Sequence, residues 1–165
     1  MQTIDIEQVK EFIQAQSAET RIYLGCDSER VKLFDGWYAD YTLAIVVHIN
    51  GNSGCKIFGE VVRERDWDNR VGRPALRLMN EVYKVSDMYQ RLSDSFAGRF
   101  VEVHLDINPD ETHGSNCVIA QAIGYIKGTC NLTPAVKPHA FAASYAADRF
   151  RDLGNARLRS VNGQF

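Results

Sequence analysis

The sequence lacks any run of about 18 apolar residues, so no membrane span is expected. Its opening stretch, "MQTIDIEQVKEFIQAQ", is polar and acidic and does not read as a secretory signal. Cysteine is sparse. Cys26, Cys55, Cys117 and Cys130 are scattered, with no CxxC or Cys–His spacing, which argues against structural zinc. They read as buried thiols of a cytoplasmic protein. There is no P-loop, GxGxxG, GxSxG or HExxH pattern. "DINPDET" (106–112) has a superficial likeness to a calcium loop but lacks the required glycine and the distal glutamate. Repeats, low-complexity tracts and interdomain linkers are absent. An excess of positive charge is missing too. Nineteen Lys and Arg against 21 Asp and Glu leave a net charge of −2, which argues against a general polyanion binder.

What is present fits one soluble globular domain over residues 1–165, with 45% hydrophobic and 24% charged residues. The core is expected over about 20–154, with a polar tail over 155–165. Arginine is clustered in "RERDWDNRVGRPALR", which holds Arg70, Arg73 and Arg77, and in "DRFRDLGNARLRS", which holds Arg149 and Arg151. The guanidinium fork suits phosphate, but interleaved aspartates also allow plain salt-bridged faces.

Periodicity predicts a short amphipathic helix over 4–16, with Ile6, Val9, Phe12 and Ile13 on one stripe. Three strands follow, at 21–27, 41–49 and 55–64. The last two are joined by the turn-forming "NGNSG". A polar loop or hairpin lies between the first two, with Asp35-Gly36 as a turn signal. A helix begins near Pro74 and runs to about Leu92. A fourth strand over 100–108 alternates Val101, Val103, Leu105 and Ile107 with Glu102, His104, Asp106 and Asn108. A helix over 116–127, a short strand at "PAVKP" (134–138) and a last helix within 139–153, stopping at Gly154, complete the order. Three strands followed by alternating helix and strand imply an α/β fold with a mixed sheet. Its first three strands are antiparallel and its helices cover both faces.

The apolar run Ile22-Tyr23-Leu24-Gly25-Cys26 ends in Asp27 and Ser28. Either the strand stops there and Asp27 caps a turn, or the strand delivers a carboxylate to a site. Sites in parallel α/β sheets form at the carboxyl ends of strands. Asp27 and Asp106 are both expected at such ends, and neighbouring strands lie about 4.8 Å apart. Two carboxylates that close repel unless a proton or metal joins them. Glu81 shares part of the inward stripe of its helix, either as a costly buried acid or at the stripe's edge beside Arg77 or Lys84. Asp148 falls in the first turn if Ser144 caps the last helix, and mid-helix if that helix starts nearer Pro138.

The motifs "IYLGCDS", "HLDIN" and "KPHAFAASYAAD" resemble the YkuK family of bacterial and phage proteins, which is ribonuclease H-like; the resemblance covers roughly residues 20–150. It implies a ribonuclease H-like mixed five-stranded sheet. It also implies that Asp27, Glu81, Asp106 and Asp148 are the catalytic acids and hold two Mg2+ or Mn2+ ions. The reaction implied is two-metal hydrolysis of phosphodiester bonds in RNA or DNA. Around these acids, Ser28, Arg70, Arg73, Arg77, Lys137 and His139 are candidates for binding nucleic acid. His104, two residues before Asp106, is either a proton shuttle or a structural histidine. The competing function is a catalytically inactive module of the same fold that binds nucleic acid or another protein. An oligomer is compatible with either.

Overall fold

The computed structural model describes residues 3–68, 75–110 and 118–152. Helix α1 (Ile6–Ala15) starts at Asp5, whose carboxylate accepts the Gln8 N–H, and buries Val9 and Ile13. Strands β1 (Arg21–Leu33), β2 (Gly36–His48) and β3 (Cys55–Arg65) form an antiparallel meander. Helix α2 (Ala75–Leu92) then leads to β4 (Phe100–Leu105), which pairs with β1 in parallel. The sheet order is β3-β2-β1-β4. Helix α3 (Ile119–Cys130) follows. A π-helical turn, Ala142–Ala146, continues as helix over residues 147–152, and the two together are termed α4.

Three expectations are corrected. First, the described sheet has four strands, not five. The "PAVKP" segment runs beside β4 but is reduced to a single parallel bridge, His104 to Ala135. The Ala135 N–H donates to Val103 O at 2.9 Å, the Leu105 N–H to Ala135 O at 2.9 Å and the Lys137 N–H to Ile107 O at 3.1 Å. Pro134 and Pro138 bracket it and have no N–H to extend the ladder. Second, β1 does not stop at Asp27. It runs on to Leu33 and turns through Phe34 and Asp35 into β2, whose pairing begins at Leu33 with Gly36. An apolar run marks only the buried half of a strand, and residues 29–40 are mostly half-buried or exposed. Third, β4 ends at Leu105, so Asp106 stands just beyond it, where pairing with β1 ceases after Cys26.

The alternation along β1 sorts the molecule into two layers. Ile22, Leu24 and Cys26 join Tyr41, Leu43, Ile45 and Val47 of β2 in the main core, which α1, α2 and α3 cover. Tyr23, Gly25 and Asp27 point to the opposite face, where Ala44 and Val46 pack against Ala142, Ala146 and Ala147 of α4. Gly25 makes this second layer possible. A Cβ there would lie 2.3 Å from Ala143 N and 2.4 Å from the Ala142 carbonyl carbon. The backbone of α4 therefore rests directly on β1. Gly59 of β3 plays the same part for the Phe150 ring, 2.6 Å from the position of an added Cβ.

Candidate active site

The site lies at the fork where β4 leaves β1. Asp27 is in the middle of β1, paired with Thr42 of β2, on the face under α4. The register places Gly25 beside His104, and the same alternation puts Asp106 on the face that bears Asp27. Burial pushes the Asp27 carboxyl up to about 6, and the charge of Asp106 adds to the shift. The Arg151 guanidinium opposes it, with Nη2 3.0 Å from Asp27 Oδ2.

Asp106 is held by two groups. The Ser144 hydroxyl donates to its Oδ1 at 3.0 Å, and Lys137 Nζ lies 2.9 Å from the same oxygen. That hydrogen bond raises the Lys137 ammonium above its ordinary value. Ser144 is therefore not a helix cap, and α4 begins before it. Asp148 is exposed one turn further on and paired with Arg151 at 3.4 Å. Arg151 also reaches Glu29 at 3.5 Å and donates from Nε to Thr42 Oγ1 at 3.3 Å. A single guanidinium thus gathers Asp27, Glu29 and Asp148. Sequence reasoning placed Arg151 only in a basic stretch. The signal available was its i,i+3 spacing from Asp148.

Glu81 sits on the other side of the sheet. It is a buried acid of α2, and Ser28, the neighbour of Asp27 on β1, donates its hydroxyl to Glu81 Oε1. Arg77 Nη1 donates to Ser28 Oγ at 2.7 Å and to Ser28 O at 3.0 Å. Arg77 Nε is buried and has no hydrogen-bond partner among the described residues. Lys84, an expected partner of Glu81, pairs instead with Glu64 at 2.5 Å. Burial pushes the Glu81 carboxyl well above the usual carboxylate range. The Ser28 hydrogen bond opposes this, and the charges of Asp27 and Asp106 add to it. Three acids from β1, α2 and the end of β4 therefore sense one another around the fork.

His104 is fully buried, with both ring nitrogens engaged. Nδ1 accepts the Ala142 N–H at 3.0 Å, so Nε2 carries the proton and donates to Glu102 Oε1 at 2.6 Å. Burial lowers its pKa, which keeps the ring neutral, and it pins the start of α4 to β4. His139 is exposed, two residues after Lys137. Arg70 and Arg73 lie outside the described residues.

The ribonuclease H-like family matches residues 5–152. The chain belongs to that family. No curated protein and no solved structure matches it. Among the described residues of this ribonuclease H-like chain, no three His, Cys, Asp or Glu side chains stand close enough together to hold a metal ion. No described helix is long and apolar enough to cross a membrane. The chemistry of the donor set nevertheless suits a hard divalent cation. Asp27 and Asp106 offer only carboxylate oxygens, and the mutual repulsion that raises Asp27 is what a cation between them would relieve. At present, Lys137 and Arg151 supply that positive charge.

Proposed function

We propose that this ribonuclease H-like chain is a metal-dependent nuclease that hydrolyses phosphodiester bonds in RNA or DNA. One observation carries the reading: a mostly buried Asp27 held under the charge of Asp106 at the fork between two parallel strands. Asp27 and Asp106 would hold Mg2+ or Mn2+, with Glu81 and Asp148 as further oxygen donors. Bound there, two such ions supply activation of the attacking water and stabilisation of the leaving oxygen.

The chain's own groups prepare this arrangement. Ser144 and Lys137 fix the Asp106 carboxylate from one side. Ser28, itself held by Arg77, fixes Glu81 from the other. His104, by anchoring Ala142, sets how close α4 brings Ser144, Asp148 and Arg151 to the sheet. Lys137 and Arg151, the cations paired with Asp106 and Asp27, would meet a phosphate arriving there. Arg70, Arg73, Arg77 and His139 are proposed to extend that contact along the strand.

One observation favours the inactive module instead. Asp27 and Asp106 each already have a protein cation, at 3.0 and 2.9 Å, so their charge is compensated without an ion. Isothermal titration of manganese into the wild type and Asp27→Asn separates the two readings. The nuclease reading expects saturable binding that the substitution abolishes. It also expects cleavage in a panel of single-stranded, duplex, hybrid and junction substrates. If neither protein binds manganese and the wild type cuts nothing, yet it shifts RNA or DNA in a gel, the inactive module is correct.

A further inference from the structure

Beside the carboxylates lies a hollow that the acids do not explain. It is lined by Asn108, Lys137, Pro138, Phe141, Ser144 and Tyr145. Lys137 and Ser144 are the two groups that hold Asp106, so the hollow opens directly onto the candidate site. Its aromatic residues differ in how they are held. Phe141 is 39% exposed and fixed edge-on, 4.7 Å from both the Tyr23 and His104 rings. Tyr145 is 78% exposed, and among the described residues it makes no hydrogen bond or ring contact. Tyr145 of the π-turn and Phe141 just before it both line this hollow, while Ala142, Ala143 and Ala146 of the turn are buried against the sheet.

Of the other exposed aromatics, Phe34 stands on the turn between β1 and β2, and the two tryptophans are already engaged. Arg30 stacks on Trp37 at 4.4 Å and Arg65 on Trp67 at 5.3 Å, and both guanidiniums are paired with aspartates, Asp66 and Asp35. Tyr145 is the aromatic with an open face next to the carboxylates.

We propose that Phe141 and Tyr145 form a stacking platform for an unpaired base of a single-stranded nucleic acid whose adjacent phosphate lies at Asp27 and Asp106. This rests on the nuclease reading and names its substrate class. A base in a duplex has both faces covered by its neighbours, whereas an unpaired base offers a face to an aromatic ring. The Lys137 ammonium at the rim provides the charge complementary to the backbone on the same side. The hollow is therefore selective for strand state rather than for sequence, because every base has a π-face.

The test uses hydrolysis-resistant, fluorescein-labelled strands titrated in manganese and followed by anisotropy. The probes are oligothymidylate, oligouridylate, an abasic strand of the same length and a duplex. Tyr145→Ala should weaken single-strand binding by about 5- to 150-fold, the range for losing one base–aromatic stack. Tyr145→Phe should stay within about twofold, since the ring face is kept. The abasic strand should bind the wild type no better than the full strand binds Tyr145→Ala. A loss on thymidylate, uridylate or both supports the platform and shows whether DNA or RNA supplies the base. Wild-type binding of strands that Tyr145→Ala leaves unchanged overturns the platform and leaves the nuclease reading standing. Tighter binding of the duplex than of either strand does the same. A wild type that binds none of the probes overturns both.

Discussion

Arg151 Nη2 lies 3.0 Å from Asp27 Oδ2, so a cation from α4 rests on the carboxylate at the centre of β1. This contact lowers an acid that burial and Asp106 both raise. Arg151→Gln should therefore move the Asp27 carboxyl above its present value of about 6. Carboxyl-carbon NMR titration checks it; a midpoint that stays put or falls refutes the electrostatic role given to Arg151.

The same shift has a consequence for stability. A folded-state pKa of about 6 exceeds the ordinary 3.8, so the folded protein binds this proton more tightly than the unfolded chain. Stability of the metal-free protein should thus fall as pH rises from about 4 to about 6 through this group, and Glu81 acts in the same direction. Asp27→Asn removes the ionisable group. At pH 7 in chelator it should be more stable than the wild type by about 1–2 kcal/mol, and the advantage should vanish near pH 4. Chemical denaturation at the two pH values measures the difference.

Gly25→Ala tests the contact between α4 and the sheet. The new methyl would meet helix backbone at 2.3 Å, which no rotamer change relieves. Destabilisation of about 3 kcal/mol or more is expected, at the upper end for overpacking. Denaturant unfolding reads it. Displacement of Ser144 and Asp148 from the fork should accompany it as a loss of manganese binding.

Ser28→Ala removes the hydroxyl that donates to buried Glu81 and accepts from Arg77. The Glu81 carboxyl should rise further, because the Ser28 hydrogen bond is the largest influence lowering it. A stability loss of about 1–3 kcal/mol at pH 7.5 is expected, the cost of an unsatisfied buried polar group. The loss should diminish as pH falls, because the Ser28 hydrogen bond favours the ionised carboxylate. Chemical denaturation across a pH series checks both parts.

The main elements were legible where burial imposes a period. The apolar runs at 22–26 and 41–47, the alternation at 101–107 and the stripe of α2 each mark a side covered by the core. The far half of the first hairpin was marked only by the Asp35-Gly36 turn signal, because residues 29–40 mix polar and apolar side chains and are mostly half-buried or exposed, so no continuous apolar run outlines the strands there. The expected fifth strand is cut to one bridge because Pro134 and Pro138, which flank it, have no N–H to extend the ladder.

By itself, the chain's order of residues determined which segments form the main strands and helices, because those follow from local periodicity and turn chemistry. Only the tertiary structure decided that β4 parts from β1 beside Asp27, that Glu81 approaches from the opposite layer, and that Arg151 and Lys137 rest on the carboxylates. These are contacts between residues up to 124 positions apart in the chain, and no local pattern encodes a distance across a sheet. They arise from close packing, here from a glycine that lets one helix backbone lie against a strand.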